Sequence, residues 1–181
     1  MASGNSETSA LGTVLVVGGC GFLGHHIVDR LTKYKCNIAV LDLSTTRNRH
    51  ASSSITYHDG DITSRESLLP TFQKLKPAVV IHTASPTVVG ANWNKKAADA
   101  LYKKVNVDGT RMLLEVAKET GVKAFVYTSS ASVVCSIDKP IYNADERWPL
   151  IMGKSQPEYY THTKVCPSHP PAPNVTDFFY P

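Results

Sequence analysis

Thr13-Val14-Leu15-Val16-Val17-Gly18-Gly19-Cys20-Gly21-Phe22-Leu23-Gly24 decides the fold. Its first five residues are a continuous apolar run, mostly β-branched, of the kind a parallel strand buried on both faces requires. Glycines end the run at once. A tight strand-to-helix turn needs residues tolerant of unusual backbone angles, and an anionic group can approach a helix N-terminus closely only where no Cβ intervenes. Gly18, Gly21 and Gly24 give the pattern G-x-x-G-x-x-G at the point where both needs arise. Downstream, Phe22, Leu23, Ile27, Val28 and Leu31 follow helical spacing to Tyr34, and Ile38-Ala39-Val40-Leu41 is a second apolar run. Together these form a βαβ unit.

The alternation continues outward. A short strand is predicted at Ile55 to His58, a helix around Arg65 to Leu75 and a strand at Ala78 to His82, with Lys76-Pro77 as the break between the last two. A longer helix is predicted from about Ala97 to Glu119, with Leu101, Val105, Met112, Leu113, Val116 and Ala117 on its apolar side and Gly121 at its C-terminal cap. Ala124 to Thr128 is the next strand. Strands and helices in this order predict an α/β fold: a doubly wound parallel sheet of the Rossmann type, covered on both faces.

In that fold the glycine turn is a dinucleotide site. Asp42 closes the second strand, where a carboxylate can accept hydrogen bonds from the adenosine ribose hydroxyls and repel a 2′-phosphate. This favours NAD over NADP. Arg47 and Arg49 in the following loop are the opposing signal, as possible holders of that phosphate. Asp61 either borders the adenine or serves as a turn or cap residue in Gly60-Asp61-Ile62-Thr63-Ser64.

Tyr160 and Lys164 are four residues apart and share a face if their segment is helical. A tyrosine is a poor base at neutral pH, but a nearby ammonium and a cationic nicotinamide both favour its phenolate. A hydroxyl such as that of Ser130 can position a carbonyl or alcohol oxygen for hydride transfer.

Val17 to Gly24, Val105-Asn106-Val107-Asp108-Gly109-Thr110, Tyr127-Thr128-Ser129-Ser130 and Tyr160-Thr161-His162-Thr163-Lys164 together resemble the extended short-chain dehydrogenases/reductases. Within that superfamily, residues 12 to 165 are most similar to the 3β-hydroxysteroid dehydrogenase group, particularly its decarboxylating sterol-4α-carboxylate 3-dehydrogenases. The resemblance implies a triad. Tyr160 is its acid/base, Lys164 holds the nicotinamide ribose and lowers the tyrosine pKa, Ser130 binds the reacting oxygen, and Asn106 completes a proton relay. Ser129 is the alternative to Ser130, and Tyr159 an alternative phenol that has no lysine four residues later. The resemblance also implies cofactor contacts at Gly18, Gly21, Phe22, Leu23, Gly24, Asp42, Asp61, Ile62, Ala84, Tyr160 and Lys164. It implies a sterol substrate, a possible homo-oligomer, and a place in the cytoplasm or on the cytosolic face of the endoplasmic reticulum. A nucleotide-sugar epimerase or dehydratase shares these motifs, and a non-catalytic NAD-binding module shares the glycine turn.

Composition narrows the classes. The 181 residues are 42% hydrophobic and 19% charged, the balance of a globular protein, and a net charge of +4 without a basic run argues against nucleic acid. Cys20, Cys36, Cys135 and Cys166 contain no C-x-x-C pair and the histidines no ligand spacing, so a reducing compartment is expected and a metal is not. No run of about 18 apolar residues is present to span a membrane. Residues 1–11 are expected to be a flexible arm, 12–165 the NAD(P)-binding domain and 166–181 a proline-rich irregular tail. Because the helix after Lys164 meets Pro167, later strands and a substrate domain are expected to be missing and the chain truncated.

Overall fold

The structure, a computed structural model, describes residues 11–87, 94–138, 140–145, 147–156 and 158–165. The expected arm before Leu11, the tail from Cys166 and Pro157 lie outside the described residues.

Five strands, β1 (Thr13–Val17), β2 (Asn37–Asp42), β3 (Thr56–Asp59), β4 (Val79–His82) and β5 (Ala124–Tyr127), form one parallel sheet in the order β3-β2-β1-β4-β5. This is the Rossmann arrangement, and the order reverses beside β1. Ligands in such sheets bind outside the carboxyl ends of the strands at that switch point, where β1 delivers Gly18.

Alternation along β1 builds two cores. Leu15 and Val17 face α2 (Arg65–Leu75) and α4 (Thr110–Glu119), and pack with Leu68, Phe72, Leu113 and Val116. Val16 faces the other side and packs with Val28 of α1 (Phe22–Leu31), Ile38, Val40 and Ile55. The sheet is therefore covered on both faces, which explains why its strands are apolar throughout.

Two of the helices differ from the sequence reading and one keeps its expected bounds. α1 stops at Leu31 because Thr32, Lys33 and Tyr34 close onto Val28, Arg30 and Leu31 in tight turns. α2 keeps the expected bounds: Pro70 sits inside it, and it ends at Lys76, which takes the left-handed conformation (φ 44°) of a helix C-cap and donates its N–H to the Phe72 carbonyl. The single helix expected from Ala97 to Glu119 is three pieces: α3 (Lys95–Tyr102), a π-helical stretch over Lys103–Gly109, and α4. Short 3₁₀ turns at Ala131–Val134 and Gly153–Ser155 lead to α5 (Tyr159–Val165), which packs against α3 and the π-helical stretch.

Candidate functional site

The glycine turn is shaped by close backbone approach. Gly18 has φ 81°, and a Cβ there would lie 2.6 Å from the Ala84 backbone nitrogen. A Cβ on Gly24 would lie 2.2 Å from the Gly18 carbonyl oxygen, so the first turn of α1 rests directly on the strand end. Gly21 caps α1 with extended backbone and no side-chain hydrogen bond. The first helical N–H groups, at Phe22, Leu23 and Gly24, therefore have no side-chain acceptor. Such a cradle fits a pyrophosphate, and a side chain at the turn would fill it.

A cleft of about 510 Å³ runs from this turn along the strand ends. Val17, Gly18, Asp42, Asp61, Ile62 and Ala84 are among its lining residues. Asp42 is oriented by backbone: its two oxygens accept from Cys20 N–H at 3.0 Å and Leu43 N–H at 2.8 Å. The loop after it is tied down twice. Asp59 accepts from both the backbone and the hydroxyl of Thr45, bonds that hold its carboxyl below the usual range. Asn48, at φ 51°, donates to the Cys20 carbonyl and accepts at its own carbonyl from His25. The two arginines separate: Arg47 lines the cleft, whereas Arg49 stacks on the Tyr57 ring at 4.3 Å. Asp61 lines the cleft and also accepts from the backbone and hydroxyl of Thr63, so it does the work of a turn residue as well.

A second cleft shares Gly18, Gly21, Thr83 and Ser85 with the first, and includes Phe22, Leu23, Gly24, Tyr102, Glu158 and Tyr160. Tyr160 projects from α5, edge-on to Tyr102 with ring centroids 5.2 Å apart. Burial and then the neighbouring Tyr102 push its phenol above the ordinary value, outweighing the opposite influence of the Ser130 and Ser85 hydroxyls. The two serines after β5 part company. Ser130 caps the 3₁₀ turn, sharing a 2.7 Å bond with Ser132, while Ser129 donates to the Lys164 carbonyl at 3.3 Å.

Lys164 is almost fully buried, and its ammonium donates to the Thr128 carbonyl at 3.2 Å. It lies 5.1 Å from the centre of the Tyr127 ring and 6.0 Å from that of Tyr160. Burial lowers its pKa to about 8. One of the three ammonium donors is taken by the Thr128 carbonyl, and burial is the largest influence on the Tyr160 phenol in this arrangement.

Asn106 is buried in the π-helical stretch, with both ends of its amide occupied. It accepts from Ser85 at 2.9 Å and donates to Thr163 at 3.0 Å. π-Helical turns often occur at functional sites; here the turn brings a polar side chain between β4's loop and α5. The sequence reading missed Thr83, Ser85 and Tyr102. Their only sequence signal was position, directly after β4 and on the apolar helix face.

Three comparisons bear on this arrangement. The sequence model of the 3-beta hydroxysteroid dehydrogenase/isomerase family matches residues 15–167. The chain is 35% identical over 150 residues to the decarboxylating sterol-4-alpha-carboxylate 3-dehydrogenase of Candida albicans, covering 78% of this chain and 41% of that protein. It is 36% identical to the Bos taurus enzyme of the same name, covering 83% and 38%. The chain thus spans about two fifths of the length of these curated relatives. In structure it is similar to the UDP-glucose 4-epimerase of Thermus thermophilus, solved in complex with NAD, with a TM-score of 0.74, 28% identity, and coverage of 87% of this chain and 49% of that one.

Proposed function

The chain belongs to the 3-beta hydroxysteroid dehydrogenase/isomerase family, and from that premise we propose that it is an NAD-dependent oxidoreductase acting on the 3β-hydroxyl of a sterol, with Ser130, Tyr160 and Lys164 as its catalytic residues. The observation that supports this best is the continuity of the two clefts: one end lies at Asp42, the glycine cradle is in the middle, and the other end lies at Tyr160. A dinucleotide laid along them would have its ribose toward Asp42 and its reactive ring toward Tyr160.

NAD, when bound, supplies the hydride acceptor. Phe22, Leu23 and Gly24 would offer N–H groups to its pyrophosphate, and Asp42 would accept from its ribose. Gly18, Gly21, Ile62 and Ala84 shape the walls, with Asp61 at the adenine end. Ser130 orients the substrate oxygen, and Tyr160 takes the hydroxyl proton as the alcohol becomes a ketone. Lys164, still mostly protonated at neutral pH, holds the nicotinamide ribose and offsets the negative charge at Tyr160. With a 4α-carboxylate on the sterol, the ketone makes a β-keto acid, which loses carbon dioxide through an enolate. No helix among the described residues is long and apolar enough to cross a membrane; the family likeness supports a reaction in the cytoplasm or at the cytosolic face of the endoplasmic reticulum.

The experiment is product analysis of the purified chain with NAD and a 3β-hydroxysterol-4α-carboxylate, beside a UDP-sugar. NADH and a decarboxylated ketone are expected. Epimerised sugar without net NADH would instead support the second reading, which the similarity to UDP-glucose 4-epimerase favours. Cofactor binding with neither product would leave a non-catalytic module.

A further inference from the structure

We propose that Thr161 and Ser132 are positioning residues that make the Ser130 hydroxyl a hydrogen-bond donor only, through a chain of hydroxyls running from α5 to the turn after β5. The inference rests on Ser130 as the residue that orients the substrate oxygen, but its first readout requires no turnover.

The chain begins beside the phenol. Thr161 follows Tyr160 on α5 and is 1% exposed. Among the described residues its hydroxyl meets one partner, Ser132 Oγ, at 3.1 Å. Ser132 Oγ in turn lies 2.7 Å from Ser130 Oγ, and the Ser132 backbone N–H donates to that same Ser130 oxygen at 3.2 Å. Ser130, with extended backbone, caps the 3₁₀ turn Ala131–Val134 that carries Ser132, so both Ser132 donors reach it from one side.

Burial sets the direction of the chain. Each hydroxyl has one hydrogen and two lone pairs, and a buried hydrogen without an acceptor is penalised more than an unfilled lone pair. Thr161, shut away from water, must therefore spend its hydrogen on Ser132; accepting there would strand it. Ser132 then accepts from Thr161, and Ser130 is the partner left for its own hydrogen. Ser130 Oγ thus receives two donors, the Ser132 N–H and the Ser132 hydroxyl, which fill its two lone pairs. Its single hydrogen is left over.

This matters because an alcohol can meet a serine in two senses. A serine with a free lone pair can accept the substrate's hydroxyl hydrogen and hold it away from the phenol that must take it. Ser130, able only to donate, leaves that hydrogen to Tyr160 and favours the substrate oxygen as negative charge develops on it. Thr161 and Ser132 touch no substrate themselves. They refer the donor at Ser130 to the same helix that carries the phenol.

Neutron diffraction from the perdeuterated full chain reads the order directly. The Thr161 deuteron should point to Ser132 Oγ and the Ser132 deuteron to Ser130 Oγ; a Ser130 deuteron lying on Ser132 Oγ would overturn the proposal. Turnover of the 3β-hydroxysterol-4α-carboxylate is the second readout. Thr161→Val keeps the volume, loses the donor and should lower kcat about three- to tenfold, the worth of one hydrogen bond, with NAD affinity unchanged. Thr161→Ser retains the hydroxyl and should restore the rate. In a Ser130→Ala background, Thr161→Val should have no further effect, whereas a mere loosening of α5 would slow that background as well and weaken NAD binding. Such a persistent loss would count against the positioning role. If Thr161→Val does not fold, Ser132→Ala is read in the same two backgrounds with the same expected outcome. The expected deuteron order in a chain without dehydrogenase activity would sink the function and leave the hydrogen-bond order standing; an active chain with the reverse order would do the opposite.

Discussion

The Asp42 carboxylate accepts the backbone N–H of Cys20, 22 positions earlier in the chain, at 3.0 Å. The end of β2 is thereby fastened to the glycine turn that follows β1. The carboxylate cannot swing away from the cleft without breaking this bond and the one from Leu43.

Asp42→Ala should weaken NAD binding by about tenfold or more, the worth of a hydrogen bond to a charged group. Its effect on NADP should be smaller, since the lost charge also removes a repulsion. Arg47→Ala should leave NAD affinity unchanged. Calorimetry with both cofactors checks this, and tighter binding of NADP to the unmodified chain would remove Asp42 as the selective residue.

Two glycines should separate binding from folding. A Cβ on Gly24 meets backbone at 2.2 Å, whereas one on Gly21 comes no closer than 3.2 Å, to the Gly18 carbonyl oxygen. Gly24→Ala should cost about 1–3 kcal/mol or more of stability, as overpacking does. Gly21→Val should keep the fold near its normal stability while blocking the cradle. Urea midpoints beside NAD titrations would show the contrast, and equal unfolding of both would contradict it.

Tyr160→Phe should lower hydride transfer about 10²–10⁴-fold, the usual contribution of general acid–base catalysis. NAD affinity should survive. Stopped-flow measurement of NADH formation is the check; undiminished turnover would eliminate Tyr160 as the proton-transfer residue.

Two buried groups give the stability a pH dependence of known sign. His82 is fully buried, and its pKa is lowered from 6.5 to about 3 by burial, then by Lys164. Between these values the unfolded chain binds a proton that the folded one does not, so stability is lost as pH falls from about 6.5 toward 3. His82→Gln retains a partner for Thr110, 3.0 Å away, and should flatten this loss. Lys164 drops from 10.5 to about 8, so stability should rise with pH across that interval and cease to do so in Lys164→Met. Urea midpoints across the range test both signs.

Much of the fold is legible in the sequence because a parallel sheet buried on both faces announces itself in runs such as Val14 to Val17 and Ile38 to Leu41, both almost wholly buried. The glycine cradle is legible for a similar reason: backbone contact between Gly24 and Gly18 leaves no freedom in residue type. Ser85 is different. A serine after a strand has no distinctive spacing, and its hydrogen bond reaches Asn106, 21 positions on, which in turn bonds Thr163, 57 positions beyond that. The position of the Lys164 ammonium was likewise hidden, since the Thr128 carbonyl that takes it is backbone and leaves no trace in residue type. Nor does periodicity separate an α-helical from a π-helical turn, because Val105 and Met112 remain on the apolar side in either.

That wider turn over Lys103–Gly109 has a meaning for inheritance. A π-helical stretch holds one residue more than an α-helix of equal span, so it is the form a helix takes when a single codon is inserted and the flanking turns keep their facing. Deleting one codon here is the reverse event. Unlike a deletion elsewhere in the helix, it should leave Leu113, Val116 and Ala117 on the sheet while shifting Asn106, which now bonds both Ser85 and Thr163. A lineage that lost that codon would keep the scaffold and lose the brace.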